Sequence, residues 1–127
     1  MDKYDTDLNE LRRNVRSDEA KEAFDYLVQE FRDLGRLGAK KGKHGYITDV
    51  RVETEVGNCF AFIPNRGSLT CYFRRPALSR GLFSDATIQR LFPDAEWTNG
   101  REWKVIVRNR QDATKVAAYV CSSLKNR

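Results

Sequence analysis

Hydrophobic residues in the first third of the chain recur at the spacing of an α-helix. A short apolar stripe ends before Ser17-Asp18, a pair typical of a helix N-cap, and a longer stripe follows it. The stripes consist of Leu8, Leu11 and Val15, then Ala20, Ala23, Phe24, Leu27, Val28, Phe31 and Leu34. Gly35 is placed to end the long helix in the left-handed conformation that glycine adopts readily. Residues 1–35 are therefore predicted to be a helical N-terminal segment.

A glycine-rich, basic segment follows the predicted helix. Residues 35–45 contain four glycines interspersed with Lys40, Lys41 and Lys43. Glycine at this density disfavours regular structure, so the segment is predicted to be an exposed, mobile loop. His44 lies in the same loop without a predicted partner to orient it. It is interpreted as a solvent-exposed side chain rather than a general base.

From Tyr46 the hydrophobic period changes to two, which is the spacing of a half-buried strand. The pattern predicts strands at residues 46–56, 59–63, 68–73, 95–98 and 101–108. The second of these is continuously apolar, as expected for an interior strand covered on both faces. Gly57-Asn58 and Asn99-Gly100 predict two-residue hairpin turns.

Two further helical patterns complete the predicted fold. A short helix begins at Ser84 and stops at Pro93, and a last helix begins at Asn109 and continues to Leu124. The predicted order is α-βββ-α-ββ-α: an α+β protein with an antiparallel sheet of about five strands and the first and last helices packed on it. The 127 residues fit a single domain, with the sheet and later helices in residues 46–124.

Composition indicates a folded protein of a reducing compartment. The chain is 40% hydrophobic and 32% charged, which is typical of a globular domain. No apolar run approaches the ~20 residues required to span a bilayer, and the acidic N-terminus lacks the apolar segment of a secretory signal. Cys59, Cys71 and Cys121 are interpreted as reduced core residues. These features predict a cytoplasmic protein without membrane contact.

One motif suggests catalysis. Asp94, Glu102 and Lys104 match the pattern of PD-(D/E)xK nucleases, in which two carboxylates hold a divalent metal beside a lysine. A two-residue turn at Asn99-Gly100 would place Asp94 on the sheet face opposite to that of Glu102, so the carboxylates could not share a metal. One histidine and no CxxC leave too few ligands for a zinc site. We therefore predict no catalytic residue, no metal site and no cofactor, and favour a non-enzymatic protein.

The distribution of charge supports the main functional hypothesis. Residues 1–33 contain six basic and ten acidic residues, a net charge of −4, whereas residues 34–127 contain seventeen and eight, a net charge of +9. Sets of lysine and arginine bind phosphate backbones through release of counterions. The predicted nucleic-acid-binding residues are Lys40, Lys41, Lys43, Arg74, Arg75, Arg80, Lys104 and Arg108. Tyr72 or Trp97, if exposed, would add a surface on which bases stack. The chain is thus predicted to bind DNA or RNA.

The same charge separation favours a second hypothesis. The basic region could bind an acidic-faced protein, as an interaction or inhibitory module of a bacterial or phage defence, counter-defence or immunity system. Electrostatic complementarity steers such association. The acidic first helix could also pair with the basic region, either within the chain or in a second copy, which would allow a homodimer.

Overall fold

The computed structural model describes residues 3–32, 34, 36–41 and 47–125. In chain order, the elements are α1 (Lys3–Arg12), α2 (Asp18–Phe31), β1 (Arg36–Lys41), β2 (Ile47–Thr54), β3 (Gly57–Pro64), β4 (Leu69–Phe73), α3 (Arg75–Ser79), α4 (Asp85–Leu91), β5 (Glu96–Thr98), β6 (Glu102–Val107) and α5 (Arg110–Lys125). Four residues named above, Gly35, Lys43, His44 and Tyr46, lie outside the described residues.

The predicted helical segment is divided into α1 and α2. Ser17 is the N-cap of α2, and its Oγ accepts a hydrogen bond from the backbone N of Ala20 at 3.3 Å. The apolar stripes of both helices are buried, as their spacing predicts. Arg16 N and Ser17 N both donate to Arg66 O, at 2.7 and 3.2 Å, which joins the turn between the helices to the β3–β4 turn. None of the helices within the described ranges has the length and apolar character needed to cross a bilayer.

Six strands form one sheet in the order β1-β2-β3-β4-β6-β5. Every neighbouring pair is antiparallel. The predicted α+β class with an antiparallel sheet is therefore confirmed, and the five predicted strands correspond to β2 through β6. The structure adds β1 at one edge and the short helix α3 directly after β4.

The prediction of an irregular loop over residues 35–45 is wrong for residues 36–41, which form β1. This strand pairs with β2 along its length. Leu37 supplies the physical reason, because its side chain is buried in the core with 8% of its surface exposed. Burial of that side chain and the hydrogen bonds of the ladder together offset the conformational cost of fixing Gly38 in a strand. Tertiary packing thus overrides the local preference of a glycine-rich sequence.

The helices cover one face of the sheet, where the aromatic core lies. The Phe31 ring of α2 is 5.1 Å from Phe60 between centroids, and the Tyr119 ring of α5 is 5.7 Å from Phe73. Side chains alternate between faces along a strand, and directly paired residues share a face. We call the other side the second face; its central row, paired across β2, β3, β4, β6 and β5, is Arg51, Ala61, Tyr72, Lys104 and Glu96.

The two-residue turn predicted at Asn99-Gly100 would pair Thr98 with Arg101, and the observed β5–β6 register differs from this by one residue. Asn99 and Gly100 have φ angles of 57° and 64°, both positive as a type I′ turn requires, and Arg101 N donates to Thr98 O at 3.1 Å. The ladder begins one residue later, with Thr98 opposite Glu102. Arg101 is therefore an extra residue between the turn and the strand, which shifts the pairing in the manner of a bulge. The two-residue turn was correctly predicted, but the pairing derived from it is wrong.

Candidate nucleic-acid interface

A cavity with a volume of about 570 Å³ lies between the start of α3 and the β5–β6 loop. We call it the arginine pocket. Its lining residues are Arg74, Arg75, Pro76, Asn99, Arg101 and Glu102. The first three follow directly after β4, whereas the others belong to the hairpin that comes after α4. The pairing of β4 with β6 brings these two distant segments together at one end of the sheet.

The sheet fixes the position of Arg74. Its backbone N donates to Cys59 O at 3.0 Å, which extends the pairing of β3 with β4 by one residue. Its Nε lies 3.5 Å from Glu102 Oε2, forming an ion pair between β4 and β6. Both side chains are partly buried, so solvent and salt screen this pair less than an exposed one. The charge of Arg74 is therefore largely balanced by Glu102.

The other two arginines of the pocket are exposed and form no ion pair with a described residue. In the part of the chain that the structure describes, no carboxylate lies within 4.0 Å of the guanidinium of Arg75 or Arg101. Three arginines and one glutamate leave the pocket with a net charge of +2. Asn99 adds an amide that can donate two further hydrogen bonds. The pocket is thus suited to an anion that accepts several hydrogen bonds.

A second concavity of about 320 Å³ adjoins the arginine pocket and shares Arg75 and Arg101 with it. Its other lining residues are Leu78, Ser79, Phe83, Asp85, Trp97 and Gly100. Trp97 is 48% exposed, and in the described ranges it is the one large hydrophobic residue that is classed as exposed. We call this concavity the tryptophan groove.

Contacts behind Trp97 hold its ring in place. The rings of Trp97 and Trp103 lie 5.3 Å apart between centroids with an interplanar angle of 63°, an edge-to-face contact. Trp103 is buried, and its Nε1 donates to Asp85 Oδ1 at 2.7 Å. Ser84, the N-cap of α4, donates its backbone N to the Tyr119 hydroxyl at 2.8 Å. These contacts link the exposed ring to α4 and α5, so little ordering is required when a ligand binds to it.

Two cations on the second face, Arg51 and Lys104, are paired with carboxylates. Arg51 Nε lies 3.4 Å from Asp49 Oδ2, and Lys104 Nζ lies 3.2 Å from Glu96 Oε2. The half-buried Tyr72 is in register with Lys104, so the second face does offer one aromatic ring. These two cations are balanced by their carboxylate partners, however, so they attract a phosphate less strongly than Arg75 and Arg101 of the arginine pocket do.

The structure distributes the predicted nucleic-acid-binding residues over several regions. Arg74 and Arg75 lie together in the arginine pocket, and Lys104 lies on the second face. Arg80 is exposed at the end of α3. Arg108 is exposed just after β6, at the end of that strand opposite to the hairpin. These residues therefore do not form one continuous patch around the pocket.

The predicted lysines of the glycine-rich segment belong to the far edge of the sheet. Lys40 and Lys41 are in β1, and β2 and β3 lie between that strand and β4. Three strand spacings place the backbone of β1 about 14 Å from that of β4. Lys43 is outside the described residues. The lysine-bearing strand is thus separated from the arginine pocket by the width of two strands.

Two residues of the site are missing from the predicted set. Arg101 is an arginine beside a strong hairpin signal, but the predicted register placed it in a strand rather than in the loop. Trp97 was predicted to offer a stacking surface only if exposed, and the structure meets this condition because β5 is a short edge strand. Both residues can be identified in the local sequence. Their proximity to Arg75 of α3 depends on the tertiary structure and cannot be identified there.

Asp94 and Glu102, the carboxylates of the nuclease-like motif, do not belong to a group of potential metal ligands in the described part of the chain. In the observed register Glu96 shares a face with Glu102 and Lys104, so strand alternation does not place Asp94 opposite to Glu102 as predicted. Glu102 pairs with Arg74 instead, and Asp94 lies in the turn before β5. Within the described ranges, no group of three or more potential metal ligands occurs.

The cysteines provide a test of the core. Cys59 and Cys71 are fully buried, and burial raises the pKa of the Cys71 thiol because its thiolate would lose hydration. Cys121 on α5 is only half-buried. We expect iodoacetamide to modify Cys121 first in the native protein, and Cys71 only after denaturation in urea. Peptide mass spectrometry distinguishes the sites, and rapid labelling of Cys71 in the native protein would show that β4 is not in the core.

The pocket and the groove place cations and a flat apolar ring side by side. Guanidinium groups bind phosphate through paired, forked hydrogen bonds, and an indole ring stacks on a nucleobase. Comparisons of the chain with protein-family models, with curated proteins and with solved structures found no match. The chemistry of the two concavities is therefore the basis for the functional proposal.

Proposed function

We propose that this protein is a non-enzymatic nucleic-acid-binding module in which the arginine pocket holds backbone phosphate. The observation that supports this function is the convergence of Arg75 and Arg101, from separate segments, on one concave surface without carboxylate partners among the described residues. Arginine is suited to phosphate because its planar guanidinium is always charged and donates in a forked geometry. Contacts to phosphate do not depend on the base, so sequence preference is expected to be weak.

The placement of the acidic helices is compatible with this function. Two carboxylates of α2 are paired with other helices: Asp25 lies 2.8 Å from Arg12 of α1, and Glu22 lies 3.4 Å from Arg110 of α5. The helix packs through Phe24 onto the face of the sheet that contains Phe62. These acidic side chains therefore balance charge within the helical layer and leave the pocket positive.

Fluorescence anisotropy of labelled DNA and RNA, measured at several salt concentrations, tests the proposal. We expect saturable binding to the wild-type protein, with a logarithm of affinity that falls linearly with the logarithm of salt concentration. The slope is expected to be about −1 to −2, because Arg75 and Arg101 contact one or two phosphates and each phosphate contributes about 0.7 in a single strand or about 0.9 in a duplex. The absence of binding at about 50 mM salt, where such contacts are strong, would contradict the function.

An acidic-faced protein is the second candidate partner. The observation that favours it is the exposed Trp97 beside two arginines, since both residue types are enriched at the energetic centres of protein interfaces. The chain would then be an interaction or inhibitory module of a bacterial or phage defence system. A stoichiometric complex that survives nuclease treatment would support this alternative over the first. Under either function we propose that the protein is cytoplasmic, because thiols stay reduced in that compartment.

A further inference from the structure

We infer that the ligand is a single-stranded nucleic acid, with one base stacked on Trp97 while Arg75 and Arg101 hold an adjacent phosphate. This inference rests on the proposed function and names its substrate class. It is drawn from the continuity of the site, because the same two arginines line both the arginine pocket and the tryptophan groove. Base and phosphate are likewise neighbours within a nucleotide, so one ligand can fill both concavities.

The tryptophan groove favours an unpaired base. In a duplex the faces of the bases are covered by their neighbours, whereas an unpaired base can stack on an aromatic side chain. Almost half of the Trp97 surface is exposed, and the apolar side chains of Leu78 and Phe83 line the same groove. A phosphate pocket alone would bind single strands and duplexes through the same contacts. The neighbouring indole is the feature that distinguishes between the two forms.

Matched single-stranded and duplex oligonucleotides of equal length test this inference. We expect the wild-type protein to bind the single strand more tightly. Trp97→Ala is expected to weaken single-strand binding about tenfold and duplex binding by less than twofold, since stacking on one aromatic ring is lost. Trp97→Phe retains a smaller ring and should have intermediate affinity. Thermal unfolding followed by circular dichroism shows whether each variant is folded.

Intrinsic fluorescence gives a readout that does not require a destabilising variant. The chain has two tryptophans, of which Trp97 is exposed and Trp103 is buried. Stacking of a base on Trp97 is expected to quench part of the emission, with the same midpoint as the anisotropy titration. Trp97→Phe should abolish this quenching while the oligonucleotide still binds. Quenching that persists in Trp97→Phe would overturn the inference.

Other outcomes separate this inference from the proposed function. Equal affinity for single strand and duplex, with no effect of Trp97→Ala on either, would overturn the inference and leave the function standing. Loss of single-strand binding in Tyr72→Ala but not in Trp97→Ala would place the stacking surface on the second face and would also overturn it. Binding of neither polymer at about 50 mM salt would overturn the function itself.

Discussion

Substitution of both Arg75 and Arg101 by alanine is expected to weaken nucleic-acid binding roughly thirtyfold. Each exposed arginine–phosphate contact is expected to contribute about 1 kcal/mol, below the range for buried charged hydrogen bonds, and about 1.4 kcal/mol corresponds to a factor of ten. The slope of log affinity against log salt should decrease in magnitude by about one to two, because the contacts of both arginines to phosphate are lost. Anisotropy titrations at several salt concentrations measure both quantities.

The matched control is the removal of two arginines at the other end of β4. Arg16 and Arg66 are both exposed, and the backbone N of Arg16 donates to Arg66 O, so they form a neighbouring pair of equal charge. Arg66 lies in the β3–β4 turn before Leu69, whereas the arginine pocket begins after Phe73. Arg16→Ala with Arg66→Ala is expected to change affinity less than threefold. An equal loss in both double variants would show that total charge, and not the pocket, governs binding.

A variant that is expected to raise nucleic-acid affinity provides a second control on the arginine variants. Glu102 balances Arg74 in the pocket, and Glu102→Gln keeps the size of the side chain while removing its charge. We expect this substitution to strengthen nucleic-acid binding severalfold, because Arg74 becomes available to phosphate. Damage to the fold would lower affinity rather than raise it. Weaker binding of a folded Glu102→Gln variant would therefore contradict the assignment of the pocket.

Phe73→Ala is expected to destabilise the protein by about 3–5 kcal/mol, the range observed when a large aromatic side chain is removed from a core. Its ring lies 5.1 to 5.7 Å between centroids from the rings of Phe60, Phe83, Phe92 and Tyr119. The substitution would therefore leave a cavity where the sheet, α4 and α5 meet. Because whole domains are stable by only about 5–15 kcal/mol, this loss is between about a fifth and all of the free energy of unfolding.

Urea denaturation followed by circular dichroism measures this loss of stability. Phe73→Leu keeps most of the apolar volume and is expected to lower the free energy of unfolding by less than the alanine variant does. An unchanged urea midpoint for Phe73→Ala would show that the aromatic cluster does not stabilise the fold. The position matters for function as well, because Phe73 directly precedes Arg74, and the packing of its ring orients the end of β4 that supports the pocket.

Those parts of the fold that depend on local periodicity could be predicted from the sequence. The stripe of α2, the Ser17 cap and the turn at Asn99-Gly100 each follow from residues within a few positions of one another. β1 could not be predicted in this way, because its stability depends on pairing with β2 and on burial of Leu37. Local composition in that segment favours a loop, and only tertiary contacts reverse the preference.

The candidate site was predicted only in part, because some of its residues are brought together by tertiary contacts. Arg74 and Arg75 are adjacent in sequence, so their proximity required no knowledge of the fold. Arg101 joins them only through the pairing of β4 with β6 and through one extra residue in the hairpin. The register derived from the turn would have paired Glu96 with Trp103, whereas the alternation of polar and apolar residues favours the observed pairs, Glu96 with Lys104 and Trp97 with Trp103.

The edge of the sheet formed by β5 also bears on the solubility of the protein. An exposed edge strand can pair with the edge of another molecule and begin aggregation, and proteins limit this risk with short strands and charged side chains. β5 is only three residues long and contains Glu96. Among the described strands, β5 has a neighbour only on the side of β6. Extending β5 would therefore lengthen the exposed edge and increase the tendency to aggregate beside the ring on which a base is proposed to stack.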